Sequence, residues 1–160
     1  MQKLAEVEEA KELMRAATEW SLWRWLIEKG RVRATADRAV AALDAAEKRV
    51  KSAWDDDLRR AYRELGSQSA TGRSSKSKRP AEAAGREARV TDPRTRLAVQ
   101  GVKEADDEAE AARLDAETTF DEAERQLNTG LARQGAQKAI DSWELREKAI
   151  RKAESVTRRK

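Results

Sequence analysis

The sequence predicts an all-α protein: a long antiparallel hairpin of two coiled-coil-like helices. Three observations lead there. Charged residues make up 40% of the 160 residues and aromatics only 4%, with two Pro and seven Gly, a balance found in long helices rather than in sheets. No run of Val, Ile, Thr or aromatics alternates with period two, which argues against strands. Apolar residues instead recur every three or four positions along two stretches, separated by one polar, serine-rich segment.

The first helix is expected over 2–65, a span without proline. Its seam runs Ala36, Val40, Leu43, Glu47, Val50, Trp54, Leu58, Ala61 and Leu65, a heptad spacing interrupted only by Glu47. Carried backwards in phase, the seam reaches Leu26 and Leu22. Gly66 stands where a glycine just past the last turn would end the helix. Residues 67–92 read as a flexible linker, rich in serine and in cations and without apolar period. Asp92 as N-cap and Pro93 at the first helical position then open a second helix, expected over 93–156. Its seam is Ala98, Val102, Ala105, Ala109, Ala112, Ala116, Phe120, Ala123 and Leu127, mostly alanine, so that backbones can approach closely while burying little area. Past Leu127 the phase slips and restarts at Ala136, Ile140, Trp143, Ile150 and Ala153, which reads as a stutter. Residues 1–160 are expected to form a single helical domain.

Folding the chain about Pro80 makes facing residue numbers total about 160. Gly30 then faces Gly130, Trp25 faces Gly135, Phe120 lies beside Val40, and Trp143 falls within a turn of Trp20. The arms of such a hairpin would be roughly 90 Å long at 1.5 Å per residue. The alternative is a four-helix bundle, formed if both helices break near Gly30 and Gly130.

Function classes are narrowed by what is missing. With no Cys and no His, there are no disulfides, no Ser-His or Cys-His nucleophile pairs and no zinc site of the usual kinds. No enzyme activity, metal or cofactor is therefore expected. A charged amino-terminal stretch and the lack of an 18-residue apolar run argue against a signal peptide or membrane span and favour the cytoplasm.

The sharpest feature is Glu19–Ile27, which holds three of the five Trp residues. On a continuous helix Trp20, Trp23 and Ile27 fall within about 60° of one another, while Leu22, Trp25 and Leu26 lie on the far side. Two apolar faces need cover from two directions. The expected use of the second face is docking, with Trp20, Trp23, Trp25, Ile27 and Arg24 as contact residues. The expected occupant is a second copy, giving a dimer or higher oligomer, or a different protein. A membrane surface fits less well, because apolar residues occupy both faces and the helix runs far beyond the patch.

The alternative function is nucleic-acid binding. The net charge of +4 equals the contribution of Arg73, Lys76, Lys78 and Arg79, which with the basic carboxy-terminal tail could contact phosphates. No aromatic residue interleaves these cations, so base stacking has no support. The acidic groups Asp55–Asp57 and Asp106–Glu108 come to one level in the hairpin. Arg59 and Arg60 follow Asp55 and Asp56 by four residues, the spacing of ordinary helix ion pairs, so these clusters read as solvated faces.

Overall fold

A computed structural model describes residues 4–71 and 92–159. The described residues are helical, with no strand among them: α1 (Ala5–Ala17), α2 (Leu22–Ser52), α3 (Asp56–Thr71), α4 (Pro93–Gln126) and α5 (Thr129–Arg158). The protein is all-α, as expected.

The two expected helices are nevertheless five, and each interruption has a local cause. Between α1 and α2, the Thr18 hydroxyl donates to the Arg15 carbonyl at 2.6 Å, and Ser21, in extended conformation, accepts from the Arg24 amide at 3.4 Å. A Ser N-cap starts a helix here although no Gly or Pro marks the place. Between α2 and α3, Asp55 accepts from the Leu58 amide at 2.9 Å, and the Trp54 indole turns inward to donate to the Ala153 carbonyl at 3.1 Å. Between α4 and α5, Leu127 adopts the left-handed conformation (φ 49°) and Asn128 caps α5 by accepting from the Leu131 amide at 3.2 Å. The phase slip past Leu127 thus marks a chain reversal and a new helix, not a stutter.

Only one of the two expected break points is used. The chain turns next to Gly130, whereas Gly30 lies inside an unbroken α2, where a glycine costs on the order of 1 kcal/mol. Gly66 does not end its helix either, since α3 continues to Thr71. The 90 Å arms are replaced by shorter segments, the longest being the 34 residues of α4, about 50 Å.

Side-chain contacts fix the directions. The ion pairs Arg33–Glu124 (2.9 Å) and Lys51–Asp106 (2.8 Å) set α2 antiparallel to α4, within three residues of the register predicted by folding at Pro80. Lys11–Glu147 (2.9 Å) and the bond from Arg133 to the Trp20 carbonyl (3.4 Å) set α1 antiparallel to α5. Arg146 holds Asp44 and Glu47 while Ala153 receives Trp54, so α2 runs parallel to α5. The α4–α5 pair is the most extensively packed. Ala105, Ala109, Ala116 and Ala123 on α4 and Ala132, Ala136, Ala139, Ala149 and Ala153 on α5 are buried, and methyl-sized side chains let the backbones come close.

Two apolar clusters result. The larger joins α1, α2, α4 and α5 around Val7, Met14, Trp20, Trp25, Leu43, Ile140, Trp143 and Ile150. The smaller joins α3, α4 and the end of α5 around Trp54, Leu58, Val99 and Val102. At the junction of α2, α3 and α4, Lys51 donates to Glu47, Asp106 and the Tyr62 hydroxyl, and Tyr62 donates to Asp106. Burial and the bond to Asp106 push the Tyr62 phenol up to about 12. Burial alone would raise the Glu47 carboxyl, but the bonds from Lys51 and Arg146 outweigh it and hold Glu47 below the usual carboxylate range.

Candidate docking surface on the second helix

The break at Thr18–Ser21 decides what the tryptophans do. On a continuous helix Trp20 would share a face with Trp23. Ending α1 at Ala17 and restarting at Leu22 frees Trp20 from that phase, and its ring turns into the core. There it meets Trp25 (centroids 6.5 Å apart, tilted), while the Arg24 guanidinium covers its ring at 5.0 Å. Trp25 is enclosed too. Its ring stacks on Phe120 with centroids 5.5 Å apart and planes 2° from parallel. Behind Phe120 lies Gly135: a Cβ placed on that glycine would sit 3.0 Å from the Phe120 ring. The expected facing of Trp25 and Gly135 is therefore realised with a phenyl ring between them.

Trp20 and Trp25 accordingly belong to the protein's own core, and neither is available to a partner. Trp23 and Ile27 are the opposite case. Each is 77% exposed, and at i and i+4 they form one ridge. Gly30 and Ala34 continue it at heptad spacing and are exposed as well, and a Cβ on Gly30 would meet nothing within 4 Å. The outward face of α2 is thus an apolar strip of two large residues followed by two small ones. Arg24 is exposed beside it. The basic residues Arg73, Lys76, Lys78 and Arg79 lie outside the described residues.

Concave and charged features occur elsewhere on the protein as well. A cleft of about 420 Å³ between α2 and α4 is lined by Trp25, Phe120 and Trp143, and Arg33–Glu124 bridges its rim. In the acidic groups, Asp55 caps α3, Asp106 receives Lys51 and Tyr62, and Asp107 pairs with Lys103. Among the described residues there is no group of three or more side chains that could hold a metal ion, and no helix is long and apolar enough to cross a membrane.

One buried pair escaped the sequence reading. Lys11 on α1 meets Glu147 on α5 at 2.9 Å, with Glu8 at 3.3 Å, and both members of the main pair are nearly inaccessible. Burial disfavours the ammonium, but the bonds to Glu147 and Glu8 outweigh this and hold Lys11 above the ordinary lysine range. The pair is 136 residues apart in sequence, and no local pattern announces it.

No family model, curated protein or solved structure matches the chain.

Proposed function

We propose that this is a non-enzymatic contact protein, a helical scaffold that docks another helix on the outward face of α2 through Trp23 and Ile27. One observation carries the reading: two large apolar side chains stand 77% exposed on a helix that already has a filled inward face. Together they offer roughly 300 Å² of apolar surface, comparable with the largest patch of an ordinary monomer. Burying it would contribute about 7 kcal/mol, similar to the lower estimates for the entropy lost on association. Further contacts must add the margin, and a coiled-coil-like continuation along Gly30 and Ala34 would supply backbone proximity.

The occupant is a second copy or another protein's helix. Sedimentation velocity over rising concentration, alone and with added amphipathic helical peptides, tests this. Trp23→Ser with Ile27→Ser should abolish association while leaving the circular dichroism unchanged. Undiminished association in that variant, or a native chain that never associates, rejects the reading.

A further inference from the structure

From the charges that flank the α2 strip, we infer that its partner is a helix with acidic flanks rather than a second copy of this chain; the inference rests on the docking role of Trp23 and Ile27. In heptad terms Trp23 and Gly30 occupy one seam position, Ile27 and Ala34 the other. Arg24, Arg31 and Arg38 then fall at successive equivalent positions along one side, and Arg33 along the other. Residues 23–38 hold five cations against two carboxylates. The cations reach solvent: the Arg31 side chain is 67% exposed, and those of Arg33 and Arg38 are each 61% exposed. Arg31 and Arg38 meet their carboxylates Glu28 and Glu9 only at 3.7 and 3.8 Å, Arg38 also donating to the Thr35 hydroxyl at 3.3 Å, whereas Arg33 pairs with Glu124 at 2.9 Å.

Flanking charges choose partners in helix pairs, because they come within a few ångströms of the facing helix once the seam closes. A second copy laid antiparallel would set the Arg24, Arg31 and Arg38 row against its own duplicate. Laid parallel, it would bring Arg33 against Arg38 of the other copy. Either arrangement places like charges together, and a helix bearing Asp or Glu at its flanking positions relieves both.

A lipid surface would also welcome cations, but the strip is narrow. Half of its seam positions are glycine and alanine, which insert nothing into a bilayer and do allow a helix backbone to approach. The large residues at 23 and 27 and the small ones at 30 and 34 call for a partner seam that is small where this one is large.

The test uses the full chain with two three-heptad helical peptides that share one apolar seam and carry Glu, or else Lys, at every flanking position. Expected by fluorescence anisotropy is binding of the Glu peptide at least tenfold tighter than the Lys peptide, weakening as salt rises. In Arg31→Glu with Arg38→Glu the preference should invert, while Arg31→Lys with Arg38→Lys keeps it; circular dichroism confirms that each variant is folded. Equal binding of both peptides overturns the inference. So does a native chain that binds neither yet dimerises through Trp23 and Ile27, although docking at the face would then stand. Binding to phosphatidylglycerol vesicles in place of the Glu peptide overturns it in favour of a membrane. If Trp23→Ser with Ile27→Ser leaves peptide binding intact, the docking face itself is wrong.

Discussion

Trp23 and Trp25 are two residues apart on one helix and have opposite surroundings. Trp25 is enclosed by the stack with Phe120 that rests on Gly135, so its indole contributes to folding. Trp23 faces solvent beside Ile27 and contributes almost nothing to the isolated fold. The same contrast separates the glycines. Gly135 leaves room for a ring, whereas Gly30 faces open space, with nothing within 4 Å of where its Cβ would be. Side-chain chemistry is shared within each pair. What differs is whether the chain itself supplies the neighbour.

Substitutions can break or sharpen this contrast. Trp25→Ala should have the largest effect, destabilising by about 3–5 kcal/mol through loss of the stack and a cavity between α2 and α4, read as a lower denaturant midpoint at unchanged slope. Glu147→Ala should follow at about 3 kcal/mol, because Lys11 would stay buried with only Glu8 in reach; urea unfolding of this variant beside Lys11→Met separates lost attraction from a stranded charge. The glycines should move stability in opposite directions. Gly135→Ala is expected to destabilise by about 1–2 kcal/mol by pressing on Phe120, while Gly30→Ala stabilises by about 0.5–1 kcal/mol as an exposed helix position, both measured by thermal melts. Smallest of all, Trp23→Ala should leave stability within about 0.5 kcal/mol of the native value. A larger loss would mean that Trp23 is covered within the isolated chain.

Much of the inward-facing architecture was legible in the sequence. Leu43, Trp54, Leu58 and Ala61 of the first seam are buried, as are Val102, Ala105, Ala109, Ala116 and Ala123 of the second, and Ala136, Ile140, Trp143, Ile150 and Ala153 after the phase slip. Burial follows helical periodicity, and periodicity survives a break as long as each piece keeps its phase. The breaks themselves were hidden because Ser21, Asp55 and Asn128 end or start helices by capping, and such residues are common on exposed helix faces too. Without the Ser21 cap Trp20 would lie in the phase of Trp23, so a residue that is buried falls by periodicity alone on the docking face. The Lys11–Glu147 pair was illegible for a different reason: it depends on how α1 folds back, which only tertiary packing decides.

Only Leu127 and Asn128 stand between the two helices that pack most extensively, so α4 and α5 can close on each other with little loop entropy to overcome. The amino-terminal helices α1 and α2 likewise pack on each other across a short turn, but α1 reaches its ion-pair partner on α5 only across 136 residues. During synthesis they leave the ribosome before α4 and α5 have been made, with Trp25 still lacking Phe120 and Lys11 still lacking Glu147. The inward faces of α1 and α2 are thus completed by segments that follow them in the chain, and a short turn closes each of the pairs α1–α2 and α4–α5.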